Sequence, residues 1–490
     1  MQLAELLKMW PCTVMGGSIR TIVSGIEDFA QAVKPGDIFV ARKGVKTSGL
    51  RYIEEAIRKG AVAIVTEDDM LVQNAKGDIP FVWVPNCQLF LSYASATLAG
   101  FPAEALTILA VTGTNGKTTV SHFIGQLLKA LHKKTAVIGT VGYFIDGEKQ
   151  QSDHEELTTL QAKSVHPMLK ECLRNGVTHV VFEASSMGLQ QYRLDYCDID
   201  CGIFLNLTAD HIEDHGGIEV YKRAKKRLAD LSKGIIVNND DVFCRSVSIY
   251  DKKKSSSFGF DNQSDLHIQI VLLSYGKTTL CIQTVNSEHI VAIPFVGRYH
   301  IQNAIAALMA VWKIGFSIEE IVPHMWNLTL PIGRLEKIDN HLGIEVYVDY
   351  AHTADALQAV LQTFDETKKI ILVFSCGGNR DKAKRFEMGA VASRYADVII
   401  LTTDNPRNEN PSAINESISA GFSEQQYYES ILDRREAIHA ALKSAEKGDI
   451  VLVAGKGHEQ TQQIKNVKIP FSDQQCIRDY FDNLIKPDVE

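Results

Sequence analysis

No run of about 18 consecutive apolar residues occurs in this 490-residue chain. The opening MQLAELLKMWPC also lacks a basic segment followed by a long apolar stretch. A membrane span and a secretory signal are therefore not expected, and the chain reads as cytoplasmic. Positive charge is in deficit: 51 Lys and Arg stand against 59 Asp and Glu, a net charge of −8. That balance argues against a nucleic-acid partner, because binding a phosphate backbone calls for an excess of cations. Cysteine is sparse, with nine residues scattered singly, which predicts reduced thiols and no disulfide scaffold. The nearest pair, Cys197 and Cys201, has no partner pair and no histidine at zinc-ligand spacing, so both read as buried thiols. Internal repeats of solenoid period and low-complexity tails are missing as well.

What is present is an ordinary globular composition, 45% hydrophobic and 22% charged. A chain this long exceeds one hydrophobic core, and three domains are expected. Residues 1–99 carry short apolar runs, Ile38 to Val40 and Ala61 to Val65, with a helical stretch around Tyr52 to Arg58 between them. They predict a small α/β domain. Residues 100–330 begin with the apolar or β-branched run Leu106 to Val111, followed by Gly113 and Gly116. Val120, Phe123, Ile124, Leu127, Leu128 and Leu131 then recur at helical spacing. Further strands are expected at Thr135 to Ile138, Val177 to Phe182, Cys201 to Leu205 and Ile235 to Val237. Such alternation implies a largely parallel sheet covered by helices. Residues 255–296, Ser-rich and then alternating, read as a small antiparallel annex. After Pro331-Ile332-Gly333 the rhythm restarts, with strands expected at Val346 to Val348, Ile370 to Phe374, Val398 to Leu401 and Ile450 to Val453. Residues 331–490 thus predict a Rossmann-like domain. The fold class expected is α/β in three domains, with a central P-loop-type parallel sheet.

The strongest local signal is Thr112-Gly113-Thr114-Asn115-Gly116-Lys117-Thr118-Thr119. Glycines let backbone N–H groups wrap a phosphate, the following helix presents its positive end, and Lys117 adds a point charge. The hydroxyl of Thr118 is placed to ligate a phosphate-bound Mg²⁺. The strict P-loop would carry a further glycine where this chain has Val111, so the match is to a shorter form. Glu183 closes an apolar strand in Val-Val-Phe-Glu-Ala-Ser-Ser, and Asp210 and His211 follow the next strand. Strand ends in such a sheet face the ligand crevice, on the same edge as the phosphate loop. A carboxylate and an imidazole there suit a metal that neutralises phosphate charge. Each taken alone reads equally as a capped or solvated loop residue.

Gly-Thr-Asn-Gly-Lys-Thr-Thr, Glu-Ala-Ser-Ser, Asn206-Leu-Thr-x-Asp-His and Tyr221-x-x-Ala-Lys225 resemble motifs of the Mur ligases of peptidoglycan synthesis. So do Gly333-Arg-Leu-Glu336, Asp349-Tyr-Ala-His352, Asp404-Asn-Pro-Arg407 and Gly455-Lys-Gly-His-Glu459. Their order covers nearly the whole chain, and the resemblance is closest to members that add the third residue of the stem peptide. It implies one domain for the UDP end of the donor, a central ATPase, and a third domain that closes over ATP and the incoming amino acid. It also implies ATP-driven phosphorylation of a carboxylate on UDP-N-acetylmuramoyl-L-alanyl-D-glutamate, followed by attack of an amine on the acyl phosphate. A carboxylate carries no leaving group at neutral pH. Phosphorylation makes one, and Mg²⁺ with Lys117 offsets the charge on the transferred group.

Position by position, the resemblance implies catalytic roles for Lys117, Glu183, His211 and Lys225. The ATP site takes Gly113, Thr114, Asn115, Gly116, Lys117, Thr118, Thr119 and Asn303, with Arg334 and Asp349 from the closing domain. Metal contacts fall to Thr118, Glu183, His211 and Lys225, the last as a carbamate. Read without the resemblance, Lys225 is one cation of the basic run Lys222 to Arg227, on a solvated helix face. The donor is assigned to Ser24, Thr158, Thr159, Ser185 and Arg193. The amino acid falls to Arg380, Asp404, Asn405, Arg407, Gly455 and Glu459. Lysine and meso-diaminopimelate differ by one terminal carboxylate, which calls for a rigid, always-charged fork. Arg407, behind a proline, suits that task and predicts diaminopimelate. Its plain alternative is a surface arginine in a polar loop.

Several donor-side positions depart from the family pattern. Asp-Ser-Arg is Val23-Ser24-Gly25 here, Thr-Thr-Pro is Thr158-Thr159-Leu160, the histidine after Ser-Ser is Met187, and Asp-Tyr-Ala-His-Thr-Pro ends in Ala354. The pattern fits a diverged member of this type. It also fits a paralogue joining another carboxylate donor and amino acid, for example L-lysine or a secondary-pathway substrate.

Overall fold

A computed structural model describes residues 1–42, 44, 48–151, 157–208, 215–250, 254–274 and 276–485. Its strands fall into three mixed or parallel sheets and one hairpin. The first sheet contains β1 (Thr13–Met15), β2 (Gly25–Glu27), β3 (Asp37–Val40), β4 (Ala63–Thr66) and β5 (Phe81–Trp83), in the order β1-β5-β4-β3-β2. Both apolar runs expected in this region, β3 and β4, lie side by side in parallel. The helix Cys87–Ala99 packs Phe90 and Leu91 onto this sheet.

The central sheet begins with β6 (Thr107–Thr112), β7 (Thr135–Gly139), β8 (Gly142–Ile145), β9 (Glu148–Lys149), β10 (His179–Glu183) and β11 (Ile199–Phe204). It continues with β12 (Ser232–Asn238), β13 (Ser255–Gly259), β14 (Leu266–Ser274), β15 (Lys277–Gln283) and β16 (Glu288–Ile293). The order is β16-β15-β14-β13-β12-β11-β6-β10-β7-β8-β9. From β7 to β14 every pairing is parallel. Strand β6 is central and apolar from Ile108 to Val111, as a strand buried on both faces must be. The helices Lys117–Ala130 and Arg298–Lys313 cover one face of this sheet, and Ala162–Arg174 covers the other. Each fully buried Leu, Ile or Phe in these layers contributes about 1.5–3 kcal/mol.

Residues 255–296 are not a separate antiparallel annex. Strands β13 and β14 extend the parallel sheet, and only the β14–β15–β16 pairings are antiparallel. Ser255-Ser-Ser-Phe-Gly shows little pattern because Phe258 alone anchors that strand in the core.

The third sheet holds β17 (Glu336–Ile338), β18 (Glu345–Asp349), β19 (Ile370–Phe374), β20 (Val398–Leu401), β21 (Tyr428–Ser430) and β22 (Ile450–Ala454). Its order is β17-β18-β22-β19-β20-β21, parallel apart from β17. A hairpin of β23 (Thr461–Ile464) and β24 (Val467–Pro470) stands beside it. Among the described residues no helix is long and apolar enough to cross a membrane.

Candidate active site

The register of the central sheet brings the ends of β6 and β10 together, with Glu183 opposite Val111. The loop after β6 turns into its helix through Gly116, whose φ of +89° is a left-handed conformation that favours glycine. Lys117 donates from Nζ to the carbonyls of Gly113 and Thr114, each at 2.9 Å. Asn206, at the end of β11, braces the loop. Its Oδ1 accepts from Asn115 N at 2.9 Å and its Nδ2 donates to Asn115 O at 3.1 Å. Thr114 Oγ1 lies 3.0 Å from the Tyr221 hydroxyl and accepts from Thr208 N. Asn303 is buried against the loop, so that a Cβ on Gly116 would lie 2.6 Å from its Oδ1. Thr119 is also buried, in the first turn of the helix.

Glu183 is only 1% exposed. Its Oε2 accepts from Thr118 Oγ1 and Thr140 Oγ1, both at 2.9 Å, and its Oε1 accepts from Thr140 N at 2.9 Å. A side chain at Gly139 would collide with this carboxyl group, so the close approach needs glycine. With the one proton of Thr140 Oγ1 committed to Glu183, Thr158 Oγ1 donates to it across 3.1 Å. Thr159 Oγ1 donates to Glu183 O at 2.7 Å and accepts from Ser185 N at 2.9 Å. Ser185 caps the short helix Ser186–Gln190, and Arg193 Nη1 donates to Thr159 O at 2.7 Å. Four expected donor-side residues thus gather around Glu183, linked through Thr140, its main-chain carbonyl and Thr159. Ser24 does not: it is exposed on the first sheet, its hydroxyl packed against Gly36.

Arg334 reaches across from the third sheet's side. Its Nη2 donates to Thr118 Oγ1 at 3.2 Å, and its guanidinium lies 4.4 Å from the Tyr350 ring centre. Asp349 fixes the base of that arm by accepting from Leu335 N at 2.6 Å and Ala351 N at 2.7 Å. Burial pushes its carboxyl above the ordinary range, against the opposing pull of Arg334. Lys225 contradicts the solvated-face reading: it is 2% exposed, with Nζ 4.8 Å from the Tyr221 ring centre. Asp210 and His211 lie outside the described residues.

A second cluster lies at the ends of β18, β19, β20 and β22. A cavity of about 220 Å³ is lined there by Arg380, Asp404, Asn405, Arg407, Gly455 and Glu459, together with Tyr350 and His352. All six expected amino-acid residues therefore share one cavity. Arg407 has φ of +52° and donates from Nη1 to Gly378 O at 2.8 Å. Burial, and then the neighbouring Arg380, lower its pKa. Gly455 leaves room for Asp404, whose Oδ2 would lie 2.8 Å from a Cβ there. Cys197 and Cys201 are buried free thiols as expected, and burial pushes both upward, Cys201 to about 12.

Sequence reasoning missed Thr140 and Lys456. Thr140 follows a strand end on the same edge as Glu183, and that position was its available signal. Lys456 lies inside the Gly455-Lys-Gly-His-Glu459 motif and is wholly buried beside Glu459.

Residues 23–93 match the "Mur ligase family, catalytic domain", 111–311 the "Mur ligase middle domain" and 333–457 the "Mur ligase, glutamate ligase domain". A UDP-N-acetylmuramoyl-L-alanyl-D-glutamate–2,6-diaminopimelate ligase of Chromobacterium violaceum is 36% identical, covering 92% of each chain. One from Clostridium tetani is 34% identical over 99% of this chain and 100% of its own. A solved structure bearing the same enzyme name superposes with a TM-score of 0.69 at 32% identity, over 99% of this chain and 100% of that one. With a phosphate loop, a buried carboxylate at the adjoining strand end and full-length relatives at this identity, the chain belongs to the Mur ligase family of ATP-dependent, ADP-forming ligases.

Proposed function

We propose that this protein joins meso-diaminopimelate to the glutamate carboxylate of UDP-N-acetylmuramoyl-L-alanyl-D-glutamate, consuming ATP, in peptidoglycan synthesis. The observation that carries this reading is the second cavity. Two guanidiniums, Arg380 and Arg407, share it with two carboxylates, Asp404 and Glu459. Such a set complements an amino acid whose side chain ends in a further ammonium and carboxylate. The names of the full-length relatives support the same choice.

The three sheets then serve as donor, ATP and amino-acid units, divided near residues 99 and 330. The loop at 113–119 wraps the nucleotide phosphates, Lys117 leaves its loop carbonyls for them, and Arg334 meets them from the other side. Thr118 and Glu183 offer hard oxygen donors 2.9 Å apart, which fit Mg²⁺. When bound, Mg²⁺ supplies positive charge against the phosphate oxygens. The donor carboxylate, held by Thr158, Ser185 and Arg193, attacks the γ-phosphorus as ADP departs. The amine of diaminopimelate then attacks the acyl carbon, phosphate leaves with its bonding pair, and the nitrogen loses a proton. Docking of the third unit keeps water from the acyl phosphate.

We extend the reading to Lys225. A neutral lysine amine that adds CO₂ and loses a proton becomes an anionic carbamate, a suitable metal ligand in a buried position. Lys225→Ala should lose activity and regain part of it with small carboxylates. No rescue, with the variant folded, counts against the carbamate. The compartment that fits is the cytoplasm, where ATP and reduced thiols coexist.

Phosphate release from ATP, with donor and amino acid each omitted in turn, tests the whole reading. Release should need both and should strongly prefer diaminopimelate to lysine. Equal or better use of lysine would overturn the amino-acid assignment.

A further inference from the structure

Lys456 is wholly buried and does not line the amino-acid cavity. A buried ammonium is costly unless every N–H finds an acceptor. Here all three can: Nζ donates to Glu459 Oε2 at 2.7 Å, to Thr461 O at 2.8 Å and to Asn405 Oδ1 at 3.3 Å. The same Asn405 Oδ1 accepts from Gln463 N at 2.8 Å. Both neighbours of that atom are donors, so the amide has only one satisfiable orientation. Its Nδ2 must face Glu459, and it donates to Oε2 at 2.8 Å. One carboxylate oxygen therefore takes Lys456 and Asn405 together. Among the described residues nothing donates to Glu459 Oε1, and one N–H of Asn405 is likewise left over.

We propose that Lys456 is a positioning residue for amino-acid selection. It acts through Asn405 and Glu459, leaving one donor and one acceptor of that pair for a zwitterionic end of the incoming amino acid. Its charge also moderates the repulsion between Glu459 and Asp404, two carboxylates of one cavity. Replacing the ammonium by an apolar chain of similar length should let the amide flip and the carboxylate turn. The cavity then loses its match to paired ammonium and carboxylate groups, while the phosphate loop, on another sheet, keeps its geometry.

This rests on the ligase reading above, and the experiment separates the two. Wild type, Lys456→Met, Glu459→Gln and the double variant are assayed as full chains with MgATP, UDP-muramoyl-dipeptide and diaminopimelate. An inactive wild type would remove the ligase reading itself. With an active wild type, Lys456→Met should raise KM for diaminopimelate at least tenfold, with KM for ATP and donor within about twofold. The double variant should be little worse than the poorer single one, because Lys456 works through Glu459. If Lys456→Met does not fold, Lys456→Gln replaces it with the same expected split. An unchanged KM for diaminopimelate, equal rises for all three substrates, or additive effects in the double variant would each overturn the proposal.

Discussion

Lys117 folds back onto the carbonyls of its own loop, and its side chain contributes little to the packed core. Lys117→Ala should therefore abolish ligation, by about 100-fold or more in kcat, while shifting thermal unfolding hardly at all. Near-normal turnover would sink the phosphate-loop assignment. Arg407 offers the corresponding test of selectivity. Losing a charge-assisted bidentate contact should cost about 2–4 kcal/mol, some 30- to 1000-fold in preference for diaminopimelate over lysine. Competition between the two amino acids in Arg407→Ala measures it directly. Sequence made these residues legible because glycine, lysine and arginine at fixed spacing carry their chemistry openly. Thr140 and Lys456 were not legible in that way. A threonine after a strand announces no partner, and the burial of Lys456 follows from where β23 and the 404–407 loop meet, which spacing along the chain does not reveal.

Elements were legible where they are long and apolar. Strands β6, β10, β11 and β19 match the expected runs closely because each is buried on both faces. The β8–β9 edge and the parallel course of β13 were not, since short or serine-rich strands take their place from neighbours more than from their own pattern. The helices also bury histidines that sequence does not mark. His166 in Ala162–Arg174 and His300 in Arg298–Lys313 are held by burial at about 4 and about 3. Both folded values lie below the unfolded value, so the unfolded chain binds more protons as pH falls from about 6.5. Their stabilisation is present above that pH and is lost on acidification towards pH 4, by about 3 kcal/mol each. Denaturant midpoints at pH 7 and pH 4.5 should show the drop. His300→Asn should flatten it, and an unchanged slope in that variant would contradict the assignment to His300.

At the scale of the whole molecule, the nucleotide site proposed above draws on two units, the 113–119 loop of the central one and Arg334 from the third sheet's side. Arg334 belongs beyond the Pro331-Ile332-Gly333 junction yet donates to Thr118, 216 positions earlier in the chain. A single guanidinium–hydroxyl bond is worth about 1.5–3 kcal/mol at most. Polar contacts of this kind between units leave relative motion as the default expectation. A nucleotide that engages Arg334 on one side and the 113–119 loop on the other binds the docked arrangement better than the separated one. It must shift the population by that difference in affinity. Small-angle scattering should accordingly show a smaller radius of gyration with a non-hydrolysable ATP analogue and donor together than without ligands. Arg334→Ala should reduce the compaction and raise KM for ATP, while leaving binding of diaminopimelate's distant end groups largely intact. Scattering curves that superpose with and without ligands would mean that the docked arrangement is permanent, and exclusion of water would then have to come from loops within the site and not from movement of the third unit.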